Sequence, residues 1–185
     1  NFVSEGVLKD ASNIEIKFSS YARPNLTDLD GDNDLDLILG GFNGQLQFYR
    51  NDLFGNEYSL NLVENFFSSI DVGDLCAPFL IDYDGDNDYD MFIGSRAGEI
   101  FYYQNNGNLL QPEFVLTSCP LPDFNYGNET APVLIDIDND SDMDVVACGR
   151  DIGEVVWYEN VGGTPITWQF HPIDPTGPHY WPATH

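Results

Sequence analysis

The chain has 185 residues, 31 acidic against six basic side chains, a net charge of −25 and 42% hydrophobic content. That apolar share supports a packed core rather than a disordered acidic tail, and a domain of this length needs neither disulfides nor a metal merely to offset small size. The charge repels nucleic-acid phosphates and anionic lipid, the cations Lys9, Lys17, Arg23, Arg50, Arg96 and Arg150 form no stripe, and no apolar run reaches the roughly 18 residues of a membrane span.

Three segments repeat: RPNLTDLDGDNDLDLILGG, APFLIDYDGDNDYDMFIGS and APVLIDIDNDSDMDVVACG. Their first aspartates, Asp28, Asp82 and Asp136, stand 54 residues apart, and Pro24, Pro78 and Pro132 keep that interval. Downstream, Gly44, Gly98 and Gly153 each open a run ending in Tyr49–Arg50–Asn51, Tyr103–Gln104–Asn105 or Tyr158–Glu159–Asn160, with one residue inserted in the third copy.

In chain order, residues 1–22 read as the outer strand of a preceding blade. Residues 23–75, 76–129 and 130–181 read as three blades, and 182–185 as the start of a further inner strand, with Pro182 in the place of Pro132. Within a copy, runs of β-branched and aromatic residues are punctuated by Gly, Asn and Asp, and none has helical periodicity. In the middle copy the strands fall at Ala77–Ile81, Met91–Gly94, Glu99–Tyr103 and Glu113–Thr117. Because Pro78–Ile81 is apolar at successive positions, the first strand is expected to be covered on both faces and innermost. Four-stranded antiparallel sheets repeated radially make an all-β chain of β-propeller blades. Three blades do not comfortably close a ring, so the expected partners are further blades of a longer chain, or other copies through self-association.

The loops DLDGDNDLD, DYDGDNDYD and DIDNDSDMD each place five carboxylates in nine residues, a density that calls for a cation. Calcium takes six to eight oxygens from carboxylates and backbone carbonyls, whereas magnesium keeps more water and stricter geometry. In the first loop the expected ligands are the side chains of Asp28, Asp30, Asp32 and Asp36, with the backbone carbonyl of Asp34. Asp82, Asp84, Asp86, Asp88 and Asp90 follow the same order in the second, and Asp136, Asp138, Asp140, Asp142 and Asp144 in the third. One Ca²⁺ per repeat, three in all, is the expectation. An EF-hand is excluded, since its twelfth-position Glu is replaced by Leu39, Ile93 and Ala147 in strand-like runs. Asn139 and Ser141, in place of Gly and Asn, make the third loop the weakest expected site.

The inner strand, the D-x-D-G-D-x-D-x-D loop, the following apolar strand and the G-x-[IL]-x-[aromatic]-Y-x-N turn resemble FG-GAP/VCBS-type repeats, the blades of integrin-α-like and related secreted β-propellers. The resemblance covers nearly the whole chain. It implies a calcium-loaded, extracellular or cell-surface propeller segment, non-enzymatic, acting as a structural scaffold or an adhesion and protein-interaction module. The alternatives are a carbohydrate-binding, lectin-like propeller or the non-catalytic part of a secreted polysaccharide-active enzyme.

Other residues carry less chemistry. Phe48–Tyr49, Tyr102–Tyr103 and Trp157–Tyr158 recur at one blade position, which favours packing over sugar stacking. Cys76, Cys119 and Cys148 lack zinc spacing and read as buried small hydrophobes, with one internal bridge as the alternative. His171, His179 and His185 show no ligand-pair spacing, and no Gly-x-Ser-x-Gly elbow or phosphate loop occurs, so no catalytic residue is assigned. Asn25, Asn128 and Asn139 head N-glycosylation sequons, and Asn128, between strands, is the expected acceptor in a glycoprotein.

Overall fold

Each repeat builds one antiparallel sheet. A computed structural model of the chain describes residues 6–18, 20–53, 57–65, 67–117, 128–149, 155–163 and 166–172. The first sheet comprises β1 (Arg23–Thr27), β2 (Asp36–Gly40), β3 (Leu46–Asn51) and β4 (Leu60–Glu64). The second comprises β5 (Cys76–Ile81), β6 (Asp90–Ser95), β7 (Ile100–Asn105) and β8 (Phe114–Leu116). The third comprises β9 (Ala131–Ile135), β10 (Asp144–Cys148), β11 (Val155–Asn160) and β12 (Trp168–Pro172). Neighbours in each sheet follow chain order, so the strands predicted for the middle copy lie within two residues of those observed. Among the described residues the one helical element is a 3-10 turn at Phe67–Ser69, and no helix is long and apolar enough to cross a membrane.

Side chains alternate between the faces of a strand, giving every sheet a leading face toward its predecessor and a trailing face toward its successor. Ile38, Leu46 and Phe48 on the trailing face of the first sheet pack against Leu80, Met91 and Ile93 of the second, joined by Phe67, Ile70 and Val72 from the connection. Phe92, Ile100 and Tyr102 of the second sheet meet Leu134, Val145, Ala147, Val156 and Tyr158 of the third. The paired aromatic residues therefore divide between seams: Phe92 and Tyr102 stack with centroids 4.7 Å apart, and Phe48 meets Phe67 at 5.1 Å. Phe48, Tyr102 and Tyr158 pack in the seams, whereas Trp157 stacks on His171.

The burial of the first strand differs from the sequence expectation. β5 alternates between buried and half-buried positions, whereas β2 and β6 are buried throughout. β1, β5 and β9 are edge strands, paired on one side only, while β2 and β6 are paired on both sides and covered on both faces. The edge position also accommodates Pro24, Pro78 and Pro132, which have no N–H to donate. β1 approaches β5, and β5 approaches β9, from one sheet to the next.

That approach depends on two equivalent glycines. A Cβ on Gly40 would lie 2.4 Å from the Cys76 carbonyl oxygen and 2.8 Å from Pro78 Cδ; on Gly94, it would lie 2.1 Å from the Thr130 oxygen and 2.8 Å from Pro132 Cδ. Because the obstacle is backbone, Gly94→Ala is expected to destabilise the protein by about 2–3 kcal/mol, measured by urea unfolding. A variant as stable as the parent would show that the seam tolerates a methyl group.

Within 1–22, where the sequence points to an outer strand, the described residues hold a bridge between Lys9 and Glu15. Ala11 N–H donates to the Leu60 carbonyl at 2.8 Å, and Ile16 and Phe18 pack over Leu37, Leu39, Tyr49 and Leu60 on the leading face of the first sheet.

Candidate metal centres

The three acidic loops, 28–36, 82–90 and 136–144, join the first two strands of their sheets at corresponding ends. Each is curled by its own first aspartate. Asp28 accepts the N–H groups of Gly31, Asp32 and Asn33 at 2.8, 3.0 and 2.9 Å. Asp82 accepts those of Gly85 and Asn87 at 2.8 and 3.1 Å, and Asp136 those of Asp140 and Ser141, both at 3.1 Å. The curl requires two left-handed residues per loop: Gly31 and Asn33, Gly85 and Asn87, Asn139 and Ser141 all have φ between +64° and +81°. Gly is at ease there and Asn tolerates it, but Ser141 at φ +81° does so at a cost.

The last aspartate braces each loop to the rest of its sheet. Asp36 accepts Leu29 N–H at 2.9 Å on one oxygen and Asn51 N–H at 2.8 Å on the other. Asp90 accepts Tyr83 N–H at 3.3 Å, Asn105 N–H at 2.8 Å and the Tyr102 hydroxyl at 3.1 Å. Asp144 accepts Ile137 N–H at 3.0 Å and Asn160 N–H at 2.8 Å. The three asparagines in turn hold the hairpin that follows: their side-chain oxygens accept the N–H groups of Ser59, of Gly107 and Glu113, and of Gly162. This bracing role of Asn51, Asn105 and Asn160 was not assigned from sequence, although their recurrence after Tyr is its signal.

Carboxylates converge within each loop. Asp28, Asp30 and Asp32 form one triplet, Asp82, Asp84 and Asp86 a second, and Asp136, Asp138 and Asp144 a third, each offering ligand oxygens within 4.8 Å of one another. Asp34, Asp36, Asp88, Asp90, Asp140 and Asp142 stand outside these triplets. One Asp34 oxygen accepts Leu53 N–H at 2.9 Å.

The donor set fits a hard cation. Asp30 Oδ1, in the first triplet, is buried with no hydrogen-bond partner, and Asp34 Oδ1 and Asp88 Oδ1 are equally unsatisfied. A buried, unpaired carboxylate oxygen is costly, and a divalent ion supplies what it lacks. Burial is the largest influence raising Asp36 to about 6, partly offset by the N–H groups of Asn51 and Leu29. Burial, then the charges of Asp86, Asp90, Asp84 and Asp82, pushes Asp88 to about 6 as well, and burial raises Asp30 and Asp90. The folded values of Asp36 and Asp88 lie above the unfolded range, so in the metal-free protein the stability these two contribute is fully present below about pH 4 and is lost as pH rises through about 6. Metal-free protein is therefore expected to melt at a higher temperature at pH 5 than at pH 7.5, as checked by calorimetry in chelator. The reverse order would contradict a strained, self-repelling loop.

The remaining candidates are scattered. Cys76 is buried in the first seam, donating to the Gln45 carbonyl at 3.0 Å, and burial pushes its thiol up to about 11. Cys148 is free and exposed, against the expectation of burial, because it lies on the trailing face of the third sheet; Cys119 lies outside the described residues. His171 meets Glu159 at 2.5 Å and stacks on Trp157, while His179 and His185 lie outside the described residues. Of the sequon asparagines, Asn128 and Asn139 are exposed and Asn25 is half-buried in β1.

The chain is thus a stack of repeated antiparallel sheets, each bearing an acidic loop at the same end. Residues 82–147, from the second acidic loop through the strand after the third, match the family model described as FG-GAP-like repeat. Neither the search of curated proteins nor that of solved structures returned a match.

Proposed function

We propose that the chain is a calcium-stabilised, extracellular array of propeller-like blades that serves as a non-enzymatic scaffold or protein-interaction module. The observation that carries this reading is the convergence of three carboxylates in the same loop of three successive sheets, with a buried, unpartnered Asp30 oxygen in one of them. Asp28, Asp30 and Asp32, Asp82, Asp84 and Asp86, and Asp136, Asp138 and Asp144 would hold the ions. Bound calcium would neutralise the loops and cross-link their ends, a structural role. Extracellular modules work with dissociation constants of roughly 10⁻⁴–10⁻³ M, in keeping with open, surface loops such as these. FG-GAP-like repeats are typically extracellular and non-catalytic, which supports the assignments of location and role. Exposed Asn128 is the proposed glycan acceptor.

Calcium titration of variants that keep a single loop tests the reading. The loop containing Asn139 and Ser141 is expected to bind most weakly, since its left-handed positions lack Gly. Tightest binding by that loop would reverse the ranking, and no binding by any loop would remove the calcium reading.

A further inference from the structure

One strand position beside each acidic loop carries a different charge in every copy. The residue before the bracing asparagine is Arg50 in the first copy, Gln104 in the second and Glu159 in the third. Because the N–H groups of Asn51, Asn105 and Asn160 donate to Asp36, Asp90 and Asp144, this residue stands on β3, β7 or β11 at the base of its own loop. None of the three belongs to an aspartate triplet.

The second copy shows the contact directly. Gln104 Nε2 donates to Asp84 Oδ2 at 2.7 Å, so position 104 reaches the middle member of the triplet. In the first copy Arg50 is anchored on Asp52, through Nε at 3.0 Å and Nη2 at 3.1 Å. Its charge is stabilised by Asp52 first and then by Asp30 and Asp36, and at Asp30 it opposes the upward push of burial and of Asp32. In the third copy Glu159 is met by His171, and after burial and the charges of Asp140 and Asp144 it adds to the rise at Asp138. Asp30, Asp84 and Asp138 are the second aspartates of their loops, so one strand position acts on the same carboxylate in all three copies. Coulomb interaction scales with charge, so a group that biases a proton there biases a divalent ion twice as strongly.

We propose that the residue at this position sets the calcium affinity of its own loop from outside the triplet, Arg50 lowering that of the first loop, Gln104 leaving the second unbiased and Glu159 raising that of the third. Given the calcium reading of the loops, on which this rests, Arg50 supplies part of the positive charge that the first loop would otherwise take from the ion. Glu159 offsets part of the cost that Asn139 and Ser141 impose on the third loop, which remains the weakest. The second loop, with Gly85 at a left-handed position and no opposing cation on Asp84, is expected to be the tightest.

The test places at position 104 of the full chain the residues that the other copies already carry, Gln104→Arg and Gln104→Glu, beside Gln104→Leu, which removes the hydrogen bond without adding charge. Hydrogen exchange across a calcium titration reads a separate midpoint for each loop. Gln104→Arg is expected to raise the midpoint of the second loop about five- to tenfold and Gln104→Glu to lower it by a similar factor, with Gln104→Leu between them and the other loops unmoved. Arg50→Gln is expected to lower the midpoint of the first loop about five- to tenfold. In chelator the order reverses: Gln104→Glu is expected to reduce the protection of residues 82–90 and Gln104→Arg to increase it, a pair of opposite signs that a merely structural hydrogen bond would not produce. Displacement of the midpoint in the same direction by Gln104→Arg and Gln104→Glu, or unmoved midpoints in loops that do take up calcium, would overturn the proposal. A parent chain with no calcium-dependent protection in any loop would instead overturn the calcium reading, and the proposal with it.

Discussion

Stripping divalent metal from the protein at neutral pH is expected to lower its melting temperature by roughly 5–10 °C for each loop that was loaded. The size follows from mass action: calcium at about 100 times its dissociation constant stabilises the native state by about 2.7 kcal/mol per site, and a chain of this length shifts by about 2–4 °C per kcal/mol. The sign follows from the loops themselves. Asp88 is raised to about 6 by burial and by four neighbouring aspartates, so near pH 7 the metal-free loop holds charges that its surroundings disfavour. Bound calcium would relieve that repulsion and would satisfy the orphaned Asp30 oxygen, neither of which the unfolded chain can offer. Magnesium, which gives up its water reluctantly, is expected to restore less of the loss. Calorimetry in chelator, then in calcium, then in magnesium, checks this, and identical curves would contradict it.

Replacing Asp90, the last aspartate of the second loop, is expected to act differently from replacing one in that loop's triplet. Asp90 is buried and receives three donors, the Asn105 and Tyr83 N–H groups and the Tyr102 hydroxyl. Asp90→Ala leaves them without an acceptor in the interior, and each abandoned donor costs about 1–3 kcal/mol, so a loss of about 3–5 kcal/mol is expected with or without calcium. The exposed Asp86 belongs to the triplet and holds only the N–H of Asp88. Asp86→Ala is expected to change metal-free stability by less than about 1 kcal/mol while removing the calcium-dependent gain of that loop. Urea unfolding of both variants in chelator and in calcium separates the roles. Equal losses in chelator would contradict the division between bracing and metal-holding carboxylates.

The strands were readable from the chain because period, turn residues and β-branched content agree in all three copies. The acidic loops were readable because alternate aspartates recur at one register. What lay beyond sequence reasoning depends on pairing across distance. Asn105 braces Asp90 from fifteen residues away, through a hydrogen bond that only the β6–β7 register creates. Gly40 and Gly94 look like ordinary strand-end glycines until the next sheet's carbonyl is placed beside them. The continuous apolar run Pro78–Ile81 suggested a strand buried on both faces, but an edge strand has one unpaired side, and full burial passes to β6. Cys148 looked like a core residue, and it is exposed because the face it occupies has no following sheet among the described residues.

Equilibrium dialysis of the intact chain against millimolar calcium, followed by metal analysis, measures the cation-holding capacity of the loops directly. Three calcium ions per chain are expected, one for each aspartate triplet, falling to two when Asp84 and Asp86 are both replaced by alanine. A folded protein that retains no calcium under these conditions would contradict the account.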